Sequence, residues 1–234
     1  MAYDIPTEVD LPLYGMLQIH WGNHAALMLA IWFGLVPLAL LTIRFGKPAP
    51  TPNGIPRGTG KLDHRLLWWT VHYWALYAAV ILTLAGGAFA VLASGGFSGT
   101  LHMYFGFGTM IFAALQIVSA WFRGSHGSMH AVGADPNDPA TWRGDHYDMT
   151  AQRRWFEAWH KTAGYFTACF AFGATATGLA QFWLPLGATV VVVVVFGVLA
   201  LAVVLEGLGY RYDTYRSVYG NHPDHPGNRQ RAGR

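Results

Sequence analysis

Three long stretches of this chain carry no charged side chain, and they constrain the fold more than any other feature. Residues 11–43, 66–122 and 162–205 contain no Asp, Glu, Lys or Arg. A helix needs about 20 mostly apolar residues to cross the hydrocarbon core of a bilayer. The first stretch has room for one crossing, and each of the others has room for two on either side of a turn rich in Gly, Ser or Pro. We predict five transmembrane helices, at residues 22–45, 66–93, 101–123, 155–180 and 186–208.

The composition of the whole chain agrees with this prediction. Of its 234 residues, 53% are hydrophobic and 12% are charged, whereas about 25% are charged in an average soluble domain. The six consecutive valines at 190–195 are apolar on every side of a helix, which excludes the one-sided stripe of a soluble helical protein. The single cysteine, Cys169, excludes a disulfide framework and covalent haem attachment. The predicted fold class is an all-α integral membrane protein.

The placement of the basic residues predicts the orientation. All 15 Lys and Arg lie at or after Arg44, and five crossings put all of them on one side of the membrane. Cytoplasmic loops are enriched in Lys and Arg, so the N-terminus is expected outside and the C-terminus in the cytoplasm, in a bacterial inner membrane. The predicted parts are an extracytoplasmic segment 1–21, a transmembrane domain 22–208 with cytoplasmic loops 46–65 and 124–154, and a tail 209–234. The scattered basic residues do not predict nucleic-acid binding.

Four histidines fall inside the predicted helices, one on each of the first four: His24, His72, His102 and His160. At a rise of about 1.5 Å per residue, His24 and His102 lie roughly 30 Å above the cytoplasmic side. His72 and His160 lie roughly 10 Å above it. Two neutral imidazoles facing each other in a helical bundle suit a six-coordinate haem iron. We therefore predict two non-covalent b-type haems in a four-helix bundle, with these histidines as the iron ligands.

A glycine follows two of the histidines by one helical turn. Gly106 follows His102 and Gly164 follows His160 at the same spacing, which puts each pair on one helix face. A missing side chain there lets a flat macrocycle approach the backbone, although small residues also serve plain helix packing. Both glycines are predicted cofactor contacts.

Basic side chains flank the predicted cytoplasmic haem. Arg65 and Arg154 are close enough in sequence to His72 and His160 to neutralise haem propionates. Membrane-surface anchoring under the positive-inside bias explains the same positions equally well.

Motifs around these histidines carry a family resemblance. They are His24-Ala-Ala-Leu-Met-Leu-Ala-Ile-Trp32 with Pro37 and Arg44-Phe45, Trp68-Trp-Thr-Val-His72, His102-Met-Tyr-Phe-Gly106 with Gln116, and Trp159-His160 with Gly164. This core resembles the haem-binding helices of the cytochrome b-561 family, in the form found beside DOMON domains. The resemblance implies that the first and third histidines hold one haem and the second and fourth hold the other. His20 lies one turn before His24 and remains an alternative ligand.

The predicted function is electron transfer across the membrane between a donor and an acceptor on opposite faces. If the chain is an enzyme, the resemblance implies a b-561-like transmembrane oxidoreductase. The expected donor is a quinol, a small reductant or a redox protein, and the chain is expected to sit in the lipid bilayer alone, as a homodimer or within a larger complex. Two alternatives stay open. One is a non-redox structural or assembly subunit, and the other is a cytochrome b subunit of a quinone-linked or photosynthetic complex.

Overall fold

The computed structural model is mostly helical, with about 70% of its residues in helices. It describes residues 6–124 except 12, 14 and 57, residues 135, 137–138, 141 and 150–182, and residues 184–224 and 228. Two strands come first, β1 (Glu8–Leu11) and β2 (Gly15–Gln18), and the helices follow. The helices are α1 (Trp21–Ala30), a π-helical turn (Ile31–Leu35), α2 (Val36–Phe45), α3 (Leu67–Ala93), α4 (Leu101–Trp121), α5 (Ala151–Phe182), α6 (Pro185–Gly207) and α7 (Thr214–Tyr219).

Four of these helical segments are long and apolar enough to cross a membrane: Trp21–Phe45, Leu67–Ala93, Leu101–Trp121 and Pro185–Gly207. At most 17% of the residues in their most apolar windows are buried, so most of this apolar surface needs lipid or another chain to cover it. The four helices indicate a membrane protein. The fifth predicted span corresponds to α5, which is the least apolar of the long helices because four charged residues lie in its first eleven positions and four Thr and three Gly follow. The count of five crossings therefore stays a prediction.

Three elements differ from the sequence prediction. The segment 1–21 contains an antiparallel hairpin, with Glu8 paired to Gln18 and Leu11 to Gly15, so the chain is not all-α. A π-helical turn interrupts the first predicted helix. The tail begins with a short helix, α7, whose N-cap Asp213 accepts a hydrogen bond from the Arg216 main chain. Most of the predicted loop 124–154 and the end of the tail lie outside the described residues.

The chain forms two compact units. The first comprises residues 1–37, 75–117 and 162–198. Within it, glycines let helices approach closely: side chains of α1 pack against Gly86, Phe170 packs against Gly108, and Phe105 packs against Gly173. Phe112 stacks on both Phe166 and Phe170. The hairpin is tied to the start of α1 because the Trp21 indole donates a hydrogen bond to the Pro6 carbonyl, 2.9 Å.

The second unit comprises residues 38–74, 118–161 and 199–234. The carboxylate of Glu206, at the end of α6, accepts hydrogen bonds from Arg44 at 2.8 Å and from Arg211 at 2.7 Å. The loop after α2 pairs with α7, since the Ile55 main-chain N–H donates to the Val218 carbonyl at 2.9 Å. These polar contacts join α2, α6 and α7.

Substitution of Gly54 by alanine should destabilise the second unit. Gly54 has φ +65°, and a Cβ there would meet the main chain at Val218 and Gly220. Alanine at positive φ costs about 1–3 kcal/mol in strain alone. The matched control is Gly58→Ala, since Gly58 has φ +76° and no atom within 4 Å of its Cβ position. Thermal unfolding in detergent should show a larger loss for Gly54→Ala, and equal losses would contradict the packing argument.

Candidate functional site

The first unit brings His24 and His102 together. Their ring centroids are 6.4 Å apart, with an angle of 88° between the planes. Imidazole nitrogens bind metal ions at about 2 Å, so two rings on opposite sides of one ion have centres roughly 6 Å apart. Each ring can rotate about its own bond to the metal, so perpendicular planes are compatible with this arrangement. The spacing of the pair fits two axial ligands of one iron.

The His102 ring is held by the main chain of α5. Its Nδ1 lies 2.8 Å from the Ala174 carbonyl oxygen, and a carbonyl can only accept, so Nδ1 donates. In a neutral imidazole the other nitrogen, Nε2, then carries the lone pair. Metal-binding histidines are commonly oriented in this way by a backbone carbonyl. The hydrogen bond therefore prepares Nε2 of His102 to bind a metal ion.

A cavity of about 380 Å³ opens beside these two histidines. Its walls come from α1, α3, α4 and α5 of the first unit and are mostly apolar. Along α3 the lining runs from Thr83 to Val91, which corresponds to roughly 12 Å of helix. Ligand cavities usually measure about 300–1,000 Å³. Its size, apolar walls and two imidazoles suit a flat, apolar cofactor with a central metal ion.

The two predicted glycine contacts have different surroundings. Gly106 lines the cavity, and no atom lies within 4 Å of its Cβ position. At Gly164 the nearest atom to the Cβ position is the amide nitrogen of Gln116, 3.6 Å away. Gly106 thus leaves open space where a macrocycle would lie, whereas Gly164 makes an ordinary helix contact.

The second unit contains both His72, on α3, and His160, on α5. The Nδ1 of His72 lies 3.2 Å from the Ala39 carbonyl, which repeats the arrangement of His102 and leaves Nε2 of His72 with the lone pair. The His160 ring stacks on Phe156, with centroids 5.2 Å apart and planes 26° apart. Both rings are half-buried, so this pair is a second candidate site for a metal ion.

The two arginines predicted near this site, Arg65 and Arg154, differ in their contacts and exposure. Arg65 donates from Nε and Nη2 to the two carboxylate oxygens of Asp63, at 2.9 Å each. These hydrogen bonds hold the pKa of the Asp63 carboxyl well below its usual range. Arg154 is exposed. Arg65 is thus bound to a neighbouring carboxylate, and the contacts of both arginines with haem propionates stay predictions.

The structure separates His20 from His24. His20 is the exposed N-cap residue of α1, and it lines a smaller cavity of about 230 Å³ beside the hairpin. His24 is half-buried, lines the 380 Å³ cavity and faces His102. Of the two, the structure therefore places only His24 beside His102.

Two residues of the first site were not predicted from the sequence. A Cβ on Gly178 would lie 2.8 Å from both Cε1 and Nδ1 of His102, so the absence of a side chain there makes room for the ring. Thr83 lines the cavity with 3% exposure, and its hydroxyl has no hydrogen-bond partner within the described residues. The glycine was visible in the sequence as one of several small residues, but nothing there distinguished it from the others.

No protein-family model, curated protein or solved structure matches this chain. Among the described residues, no three or more His, Cys, Asp or Glu side chains cluster as a metal site. A haem iron with two axial histidines needs only a pair. The first candidate site therefore stands on the ring spacing of His24 and His102 and the cavity beside them. The second stands on the presence of His72 and His160 in one unit and on the hydrogen bond that orients His72.

Proposed function

We propose that this chain is a membrane cytochrome that carries electrons across the bilayer through two b-type haems. The observation that carries the proposal is the His24–His102 pair, whose rings are 6.4 Å apart beside a cavity of about 380 Å³. His72 and His160 are the proposed ligands of the second haem. This is the function expected from the resemblance to the cytochrome b-561 family.

Each haem would supply one-electron redox chemistry at its iron. The protein would hold each haem through these histidines, orient their rings and keep water away. The carbonyls of Ala174 and Ala39 fix the tautomers of His102 and His72, so that Nε2 is available in each. Two histidines on one iron leave no open coordination position, which favours electron transfer over chemistry on bound oxygen.

The direction across the membrane follows from the charge asymmetry. With α5 as a fifth crossing, all Lys and Arg lie on one side, which is the cytoplasmic side under the positive-inside bias. The His72–His160 site then lies toward the cytoplasm of a bacterial inner membrane, and the His24–His102 site lies toward the outside. A quinol, a small reductant or a redox protein would exchange electrons at either end.

Helix α6 is compatible with both a free-standing cytochrome and a cytochrome subunit of a larger complex. Helix α6 spans 23 residues and has none buried. Lipid covers such a face in a free-standing protein, and neighbouring helices, including those of a second copy, would cover it in an assembly. The haem proposal is the same in both cases.

Reduced-minus-oxidised absorption spectra with haem quantitation on the purified chain test the proposal. Two b-type haems per chain are expected, because two histidine pairs are present. A purified, folded chain without haem would overturn the proposal and leave a structural or assembly role. Proteins that co-purify with the haem-loaded chain would separate a subunit from a free-standing cytochrome.

A further inference from the structure

The short helix α7 is docked firmly although it has only six residues. An isolated helix of fewer than about 12 residues is marginal in water, so its packing must hold it. Ser217 and Tyr219 are 1% and 3% exposed. The Asn221 main-chain N–H donates to the Thr51 carbonyl at 3.0 Å. This helix is therefore a fixed part of the second unit.

Helix α7 contacts α5 through the carboxylate of Glu157, which accepts hydrogen bonds from both helices. The Tyr215 hydroxyl donates to Oε1 of Glu157 at 2.6 Å, and Nε of Arg153 donates to the same oxygen at 3.1 Å. Burial, together with this hydrogen bond, raises the pKa of the Tyr215 phenol, so it keeps its proton and acts as the donor. Charge-assisted hydrogen bonds of this kind are stronger than neutral ones.

Arg153 is also connected to His160, through the ring of Phe156. The guanidinium carbon of Arg153 lies 5.3 Å from the centroid of the Phe156 ring. Phe156 in turn stacks on the His160 ring at 5.2 Å. Tyr215, Glu157, Arg153, Phe156 and His160 thus form one column of contacts inside the second unit.

We propose that Tyr215 is a positioning residue that, through Glu157, sets the reduction potential of the haem held by His72 and His160. This inference rests on the proposed function, because it requires a haem at that site. Tyr215 itself does not touch the iron. It acts by partly neutralising the Glu157 carboxylate and by keeping the column of contacts in place.

The sign of the effect follows from the charges around His160. The charged residues on the same helix, α5, are Arg153, Arg154, Glu157 and Lys161, of which Glu157 alone is negative. A nearby negative charge stabilises the ferric form and lowers the reduction potential, and hydrogen bonding or charge loss at that group reverses this. A carboxylate without its tyrosine partner exerts a stronger field, whereas a neutral amide in its place exerts almost none.

Two variants test the proposal in opposite directions. Tyr215→Phe should shift the midpoint potential of the His72–His160 haem downward, because Glu157 loses a donor. Glu157→Gln should shift it upward, because the charge is lost while the amide oxygen still accepts from Tyr215 and Arg153. Tyr210→Phe is the matched control, since Tyr210 is 49% exposed, and it should shift neither haem.

The measurement is a redox titration of the purified chain, followed by absorbance and by the low-spin ferric EPR signal. The His24–His102 haem is an internal reference and should keep its potential in all three variants. Opposite shifts at one haem support the proposal. Shifts of the same sign in both variants would mean that Tyr215 and Glu157 only support the packing of the second unit, and this result would overturn the proposal. The absence of any shift, with both haems present, would overturn it too. A chain that binds no haem would instead refute the proposed function.

Discussion

Replacing His102 with alanine is expected to remove one haem per chain and to leave the other in place. The His102 and His24 ring centroids are 6.4 Å apart, so alanine would delete one of the two proposed ligands of this haem. The second proposed haem would keep both of its own, His72 and His160. Haem quantitation should fall from about two per chain to about one, since bis-histidine iron binding needs both imidazoles. Reduced-minus-oxidised spectra should lose one component.

The control for this variant is His20→Ala. His20 is exposed at the N-cap of α1, so its loss should leave both haems bound, whereas His24→Ala should match His102→Ala. If His20→Ala lost a haem and His24→Ala kept both, the ligand assignment in α1 would be reversed. The component that remains in His102→Ala should be the one that His72→Ala removes.

The long helices were predictable from the sequence because each follows from a local run of apolar residues. The predicted bounds of the third helix, 101–123, differ from α4 (Leu101–Trp121) by two residues. The juxtaposition of His24 and His102 was also predictable, because alternating helix direction and rise per residue fix which histidines share a level. The pairing of His72 with His160, reached in the same way, stays a prediction. Both inferences use only sequence distance and helix geometry.

Other features depend on contacts between distant parts of the chain, and the sequence did not show them. The choice between His20 and His24 was open because both lie on one helix face, and it depends on where the hairpin ends and α1 begins. Helix α7 was missed because its six residues have no apolar periodicity of their own. It forms because the loop at Thr51–Ile55 and the carboxylate of Glu157 give it partners.

The glycines illustrate the same limit. Gly106 was predicted from its spacing to His102, and it does line the cavity. Gly178 contacts the His102 ring more closely, but it lies on α5, 76 positions along the chain, where spacing carries no information. Gly86, Gly87 and Gly173 accommodate methionine, leucine or phenylalanine side chains instead. Only the packing distinguishes the glycine that accommodates a candidate ligand from those that accommodate core residues.

Substitution of Gly178 by alanine should therefore weaken haem binding while stabilising the helix. A Cβ would lie 2.8 Å from Cε1 and Nδ1 of His102, so the ring must move and its hydrogen bond to Ala174 must lengthen. Losing the partner that orients a metal-binding histidine weakens metal affinity by about 10–100-fold. Alanine in place of glycine favours a helix by about 1 kcal/mol, so unfolding alone would not explain the loss.

The matched control is Gly197→Ala on α6, where no atom lies within 4 Å of the Cβ position. It receives the same gain in helix propensity without moving a histidine, so both haems should remain. Haem retention during dilution and thermal unfolding of the haem-free chain measure the two effects separately. Gly178→Ala with two tightly bound haems would show that the His102 ring position is not needed. Loss of the His24–His102 haem alone, with the haem-free chain no less stable than the unsubstituted one, would tie that haem to the close approach of α5.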